Sequence, residues 1–180
     1  MSDNSRLALP FGSLIDREQP ISFSFETQDY QGFDGDNIAS ALAANQQWLL
    51  SRSFKYHRPR GALTMAGQDA NTMIQLPSDP NALADRIPLS EGLQVMGQNY
   101  SGSLNNDRGA LLGVFSKFLP VGFYYKAFFK PRGMWEKWAL LVRKKAGLGV
   151  INQDYEPEYY DKQYQFYDVA VIGAGPAGLS

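Results

Sequence analysis

The chain has 180 residues, of which 44% are hydrophobic, enough for one globular domain and part of another. Its 17 basic and 18 acidic side chains nearly cancel, so the net charge favours neither nucleic acid nor a membrane surface as a partner. The absence of cysteine predicts no disulfide, no cysteine nucleophile and no iron–sulfur cluster in this chain. No apolar run approaches the ~20 residues of a membrane span, and the polar start is unlike a signal peptide. We therefore expect a cytoplasmic protein.

The first 45 residues predict an arm, a hairpin and a helix. Residues 1–19 are polar and indicate an extended N-terminal arm. Residues 21–26 alternate apolar and polar side chains, which is typical of a half-buried strand, and a second short strand follows over residues 30–33. Asp36 is a suitable N-cap for a helix over residues 37–45.

The next segments complete an α+β layout. An apolar stretch near residues 71–76 predicts a returning strand, so that residues 20–92 resemble a small β-grasp domain. Residues 93–165 form an aromatic and helical connecting segment. Its aromatic stretch, residues 111–130, is more typical of a core or an interface than of a cofactor pocket. Apolar side chains at helical spacing predict a helix over residues 134–145.

A basic loop occupies residues 51–61. It contains the sole histidine, His57, and four cations, Arg52, Lys55, Arg58 and Arg60. Such a loop is either a solvated or partner-facing surface, or an anion contact for a flavin phosphate or a substrate carboxylate, since arginine binds such groups in bidentate fashion. No catalytic partner can be placed beside His57 from sequence, which favours a structural histidine.

A glycine motif closes the sequence. Residues 169–172 form a short apolar run typical of a strand buried on both faces, and glycines follow at the G-x-G-x-x-G spacing. Such a turn leads into a helix whose free N–H groups bind the diphosphate of a dinucleotide. The predicted cofactor-binding residues are Gly173, Ala174, Gly175, Pro176, Ala177 and Gly178.

The dinucleotide fold needs more than this turn. The rest of the helix, a second strand and an acidic residue about 20 positions further on are required. We therefore expect the chain to be a fragment of a longer polypeptide. Residues 166–180 would be the start of an incomplete, Rossmann-type FAD/NAD(P)-binding domain of the α/β class.

Six segments, which occur in order and are spread over most of residues 20–180, resemble the alpha subunit of heterotetrameric sarcosine oxidase and its relatives. These relatives are opine-oxidising and hydrogen cyanide-forming enzymes. The six segments are residues 35–42 (Gly-Asp-Asn-Ile-Ala-Ser-Ala-Leu), 52–61 (Arg-Ser-Phe-Lys-Tyr-His-Arg-Pro-Arg-Gly), 120–126 (Pro-Val-Gly-Phe-Tyr-Tyr-Lys), 135–137 (Trp-Glu-Lys), 146–149 (Ala-Gly-Leu-Gly) and 167–169 (Tyr-Asp-Val) before the glycine motif.

The resemblance implies an N-terminal fragment of an oxidoreductase subunit. It implies a ferredoxin-like β-grasp domain, then an FAD/NAD(P)-binding domain holding NAD or FAD at the glycine motif, and a folate-binding region elsewhere in the full subunit. Flavin (FAD and FMN) in the complex, held by or shared with the beta subunit, would oxidise sarcosine or another secondary N-methyl amine with oxygen as acceptor. Catalytic residues are accordingly not expected in this chain.

One departure from the relatives concerns the cluster. Those that hold a [2Fe–2S] cluster carry its cysteines shortly after the segment that corresponds to Arg58–Gly61, where this chain has residues 62–67 without a cysteine. We therefore expect a cluster-free domain. Two alternatives stay open: a subunit of a related FAD-dependent amine, opine or hydroxyproline dehydrogenase, and a non-enzymatic β-grasp assembly module.

Overall fold

A three-stranded sheet and the helix packed on it organise the fold. The computed structural model describes residues 5–114, 131–145, 149–150, 152–156, 159–173 and 178. The strands are β1 (Asp16–Phe25), β2 (Gln28–Asp34), β3 (Ser51–Arg52), β4 (Pro59–Arg60), β5 (Met73–Ile74), β6 (Ala82–Leu83) and β7 (Leu93–Val95). The helices are α1 (Ile38–Ala44) and α2 (Trp135–Lys145), with 3₁₀ turns at Ala70–Thr72 and Arg108–Gly113. The class is α+β, as predicted.

The main sheet has the strand order β2-β1-β7. β1 and β2 form the predicted antiparallel hairpin, in which Phe23 faces Tyr30. β7 runs parallel to β1, with Val95 beside Phe25. A parallel neighbour requires a crossover connection, and helix α1 lies within it.

Two strand predictions need correction. The assignment of residues 93–165 to a connecting segment is wrong at its start, because β7 belongs to the main sheet. The predicted domain boundary after residue 92 therefore cuts through the sheet. The predicted returning strand at residues 71–76 is reduced to β5, which pairs with β6 in a separate two-stranded sheet. β5 and β7 have two and three residues, too few for an alternation of apolar and polar side chains to be recognised in the sequence.

The core lies between α1 and the sheet. Gly32 in β2 allows the close approach of the helix, because a Cβ there would collide with the side chain of Leu89 and lie 3.0 Å from the Cβ of Ala41. Such tight packing is typical of protein interiors. The largest side chains that are fully buried are Phe25, Ile38, Leu42, Leu50, Ile74, Val95 and Thr72.

Helix α1 begins with a capping box, one residue later than predicted. Asn37 Oδ1 accepts a hydrogen bond from the Ser40 N–H at 2.7 Å, and the Asn37 N–H donates to Ser40 Oγ at 3.1 Å. The N-cap is therefore Asn37 rather than Asp36. Asp36 is instead buried, and accepts hydrogen bonds from the Phe33 N–H at 3.0 Å and Ser40 Oγ at 2.7 Å.

The predicted arm is fastened to its own domain. Arg6 forms a bidentate ion pair with Asp36, with nitrogen–oxygen distances of 3.1 and 2.5 Å, and its guanidinium lies 5.2 Å from the centre of the Phe33 ring. Arg17 donates to the carbonyl oxygens of Leu7 and Phe11. Residues 16–19 of the arm already belong to β1.

The later segments are described in part. The helix predicted over residues 134–145 is confirmed as α2. Of the aromatic stretch, residues 115–130 lie outside the described residues. No helix within the described part of the chain has the length and apolar character to span a bilayer.

We expect replacement of Asp36 by alanine to loosen the junction of arm, hairpin and helix. Asp36 is 2% exposed, and its loss leaves the shielded Arg6 guanidinium and the Phe33 N–H without their partner. Breaking a buried ion pair typically costs about 3–5 kcal/mol. Amide hydrogen exchange should show faster opening of β2 and α1. The exposed Asp34 provides the control Asp34→Ala, and equal exchange in the two variants would contradict this role.

Candidate functional site

The structure shows the first glycine of the predicted dinucleotide turn in a conformation that suits a turn. Gly173 has φ +111°, a region that side-chain-bearing residues rarely adopt. At Gly178 a Cβ would collide with the carbonyl of Gly173. The four residues between them, Ala174, Gly175, Pro176 and Ala177, lie outside the described residues.

The apolar run before this turn differs from its prediction. Residues 169–172 were expected to form a strand buried on both faces, but Val169, Val171 and Ile172 are 80%, 69% and 98% exposed. No strand in the described part of the chain pairs with them. A doubly covered strand requires neighbours on both sides and layers on both faces, and the described residues form none of these contacts with it.

The basic loop is a closed turn between β3 and β4. These two strands pair antiparallel, with Ser51 opposite Arg60. The Ser53 N–H donates to the carbonyl of Arg58 at 2.8 Å, and the Arg58 N–H donates to Ser53 Oγ at 2.9 Å. His57 adopts φ +53° within this turn and donates its N–H to the carbonyl of Ser53. The loop thus has a defined shape in which the backbone of Ser53 and Arg58 is fixed.

Arg52 fastens this loop to the segment that follows β7. Its Nε and Nη2 donate to the carbonyl of Leu104 at 2.9 and 2.7 Å, and Nη2 also donates to that of Asn105. Nη1 donates to the carbonyl of His57 at 3.3 Å. Arg52 therefore has a structural role, and its partners are backbone carbonyls.

His57 is part of a buried pair with Asp107. The two side chains are 8% and 0% exposed, and His57 Nδ1 lies 2.6 Å from Asp107 Oδ2. Burial raises the pKa of Asp107, but hydrogen bonds from the Ser101 and Gly109 N–H groups and from His57 outweigh it and lower the pKa. The prediction of a structural histidine agrees with this environment. Sequence reasoning could not find its partner, which lies 50 residues away.

The remaining cations of the loop line an open concavity of about 340 Å³. Lys55 Nζ lies 4.7 Å, and Arg58 Cζ 5.0 Å, from the centre of the Tyr56 ring. Arg60 Nη1 donates to Asn71 Oδ1 at 3.0 Å across the concavity. No aspartate or glutamate is among the described residues that line it. We call this concavity the basic pocket; its lining is Ser51, Arg52, Ser53, Phe54, Lys55, Tyr56, Arg58, Arg60, Ala70, Asn71, Met73, Asn81, Gln98 and Asn99.

Asp69 supports the wall of the basic pocket, a role that sequence reasoning missed. Its Oδ2 accepts the N–H groups of Leu63 and Thr64 at 2.6 and 2.9 Å. Its Oδ1 accepts both the backbone and the side-chain N–H groups of Asn71 at 2.9 and 2.8 Å. Asn71 Oδ1 in turn accepts a hydrogen bond from the guanidinium group of Arg60. The available sequence signal was the Asp-x-Asn spacing, which is typical of an Asx turn.

The pKa of Asp69 reflects these contacts. Burial raises it, but the hydrogen bonds from Thr64, Asn71 and Leu63 outweigh that effect and lower the pKa from 3.8 to about 2. The carboxylate is therefore stable in its ionised form although the residue is only 7% exposed. A second buried aspartate, Asp85, accepts Thr72 Oγ1 at 2.9 Å and extends the network.

The comparisons with known proteins agree with the resemblance drawn from sequence. The chain is 44% identical over 98% of its length to sarcosine oxidase subunit alpha of Rhizobium meliloti (strain 1021). It is 26% identical over its full length to the corresponding subunit of Corynebacterium sp. (strain P-1). The chain is thus similar in sequence to sarcosine oxidase alpha subunits. It spans 18% and 15% of the lengths of these two relatives.

Two further matches each cover part of the chain. Residues 18–100 match the family described as a 2Fe-2S iron-sulfur cluster binding domain. Among solved structures, L-proline dehydrogenase from P. horikoshii matches 48% of this chain and 17% of its own, with 24% identity and a TM-score of 0.41.

The family match corrects one prediction. We expected no iron–sulfur cluster in this chain, whereas residues 18–100 match a family of cluster-binding domains. The residues present do not fit the usual thiolate ligation, because the sequence has no cysteine. The N–H groups of Leu63 and Thr64, in the segment where related enzymes carry cluster cysteines, are bound to Asp69. In the described part of the chain, no three His, Cys, Asp or Glu side chains converge as a metal site. We assign no cluster ligand and no step to a cluster.

We expect Asp69 to make the domain sensitive to acid. Its pKa is lower when folded, so its contribution to stability is complete above pH 3.8 and is lost as the pH falls towards about 2. Asp69→Asn should unfold more readily at neutral pH and should lose less stability over this acid range. Acid titration followed by intrinsic fluorescence measures both effects. Asp79→Asn, at an exposed position, is the control, and an unaltered acid profile in Asp69→Asn would refute the expectation.

Gly109 tests the packing that fixes His57. A Cβ at Gly109 would collide with the imidazole ring, whereas at Gly113 its nearest neighbour is the Tyr56 carbonyl at 3.7 Å, an ordinary contact. We expect Gly109→Ala to lower the free energy of unfolding by about 1–3 kcal/mol through overpacking, and Gly113→Ala to have a smaller effect. Chemical denaturation of the two variants compares them. Equal stabilities would show that the His57 ring moves freely.

Proposed function

We propose that this chain is part of the alpha subunit of a sarcosine oxidase-type complex, a flavoenzyme that oxidatively demethylates a secondary N-methyl amine with oxygen as acceptor. The observation that supports it is the 44% identity to the Rhizobium meliloti subunit over 98% of this chain. Because the chain spans 18% of that relative, the proposal concerns the larger protein to which such a sequence corresponds. Its beta subunit and folate are the proposed partners, and the cytoplasm its proposed location.

Within that complex, the region up to β7 is proposed to be a ferredoxin-like β-grasp scaffold. The antiparallel hairpin, the crossover helix α1 and the parallel strand β7 beside β1 support this assignment. The family match over residues 18–100 extends past the predicted boundary at residue 92. We therefore place β7 in the scaffold, followed by a connecting segment to residue 165 and by the start of a dinucleotide-binding domain at residues 166–180.

The glycine turn is proposed to hold the phosphates of a dinucleotide. The positive φ of Gly173 supports a tight turn out of the preceding run. Gly175 would let a diphosphate approach the backbone, and Gly178 would let the next helix pack closely. The chemistry of amine oxidation belongs to the flavin. The described residues are proposed to act as a structural scaffold, and none is proposed to take part in the chemical reaction.

The glycine turn can be tested in the full-length complex. Gly175→Val places a branched side chain where the diphosphate would approach the backbone, so we expect its content of bound dinucleotide to fall at least about tenfold, equivalent to about 1.4 kcal/mol. Chromatography of the ligands released by denaturation measures this content. Gly113→Val is the matched control, because Gly113 lies outside the motif in an uncrowded position. Unchanged dinucleotide content in Gly175→Val would contradict the proposal that the glycine turn binds a dinucleotide.

The activity is tested separately. The full-length complex should consume oxygen when sarcosine is added, which an oxygen electrode detects. Oxygen uptake with a different secondary amine, but none with sarcosine, would show that the complex acts on another substrate.

A further inference from the structure

We propose that the basic pocket is a binding site for the phosphoryl group of a small molecule, formed by residues separate from the glycine turn. The groups that would contact the anion are the guanidinium groups of Arg58 and Arg60. Lys55 contributes to the positive potential of the site. The proposal does not depend on the identity of the amine substrate or on the dinucleotide.

The charges of the pocket support an anionic ligand. Arg58 and Arg60 both line the concavity, and no carboxylate is among the described lining residues. The Arg58 guanidinium lies 5.0 Å, and Lys55 Nζ 4.7 Å, from the centre of the Tyr56 ring, which lines the same concavity. An anion bound in the concavity would be attracted by the positive charges of Arg58 and Arg60.

The loop is already in a fixed conformation, which lowers the entropic cost of binding. Two hydrogen bonds between Ser53 and Arg58 close the turn, at 2.8 and 2.9 Å. His57, which lies within the turn, is held in place by its buried contact with Asp107. Asp69 orients Asn71, which receives Arg60 at 3.0 Å. A preorganised set of donors binds an anion more tightly than mobile surface side chains do.

Size and charge favour a small phosphorylated molecule over an acidic protein segment. The concavity of about 340 Å³ is at the lower end of small-molecule sites, which occupy about 300–1,000 Å³. A phosphate or diphosphate offers several oxygens and more than one negative charge, which matches two guanidinium groups better than a single carboxylate does. Phe54, which is 59% exposed, lines the pocket and offers an apolar surface to the organic part of a phosphate ester.

The experiment measures pyrophosphate binding to the full-length complex by isothermal titration calorimetry at low ionic strength. All samples carry Gly175→Val, so that the contact proposed for the glycine turn does not contribute. The test variant is Arg58→Gln with Arg60→Gln. The control, Arg132→Gln with Lys162→Gln, removes the same charge at exposed positions outside the pocket.

We expect saturable binding that weakens with added salt. The test variant should lose at least about tenfold in affinity, the effect of one lost charge-assisted hydrogen bond, and the control less than about twofold. AMP and inorganic phosphate identify the source of the phosphoryl group. Tighter binding of AMP indicates a phosphate ester, and tighter binding of inorganic phosphate indicates the free ion.

Three outcomes would overturn the proposal. The first is the absence of saturable pyrophosphate binding in the parent protein. The second is an equal loss of affinity in the test and control variants, which would show a general effect of net charge. The third is tighter binding of an oligoglutamate peptide than of pyrophosphate, with the same dependence on Arg58 and Arg60, which would identify the loop as a docking surface for an acidic protein segment. None of these outcomes affects the dinucleotide assignment.

Discussion

Buried aspartate side chains that accept backbone N–H groups hold the loops of this protein in place. Asp36 joins the hairpin to the start of α1 and receives Arg6 from the arm. Asp69 accepts hydrogen bonds from the N–H groups of Leu63 and Thr64, which follow the basic loop. Asp107 accepts two amides and the His57 ring. The described strands outside the main sheet have two residues each, so backbone groups that would pair in longer strands bind these carboxylates instead.

This arrangement explains why the basic loop has a defined shape although it lies between two strands of two residues each. A two-stranded hairpin of that length has little stability of its own. Two contacts with the segment after β7 hold the loop in place. Arg52 donates hydrogen bonds to the carbonyls of Leu104 and Asn105, and His57 contacts Asp107. One arginine of the loop therefore has a structural role, while Arg58 and Arg60 line the concavity that is proposed to bind an anion.

The local features of the fold could be predicted, and the long-range ones could not. Alternation of apolar side chains located the hairpin, and helical spacing located α1 and α2, because both signals lie within one segment. The cap of α1 was misplaced by one residue, since Asp36 and Asn37 are both good cap residues. Only Arg6, 30 residues away, and the inward turn of the Asp36 carboxylate distinguish them. For the same reason β7 was missed, because three residues provide no periodicity, and only their pairing with β1 makes them a strand.

The sequence by itself determined the family resemblance, the α+β class, the hairpin and both helices, and the spacing of the glycines, because residue identity and local periodicity encode these features directly. The tertiary structure alone decided that Asp107 is the partner of His57, that Asp69 supports the wall of the basic pocket, and that Leu93–Val95 complete the main sheet. The His57–Asp107 contact and the pairing of β1 with β7 join residues that are far apart along the chain, and no local pattern specifies the paths of the loops between them. Their pairing follows from which polar groups folding buries together, since a buried group must find its hydrogen-bond partner wherever the fold places one.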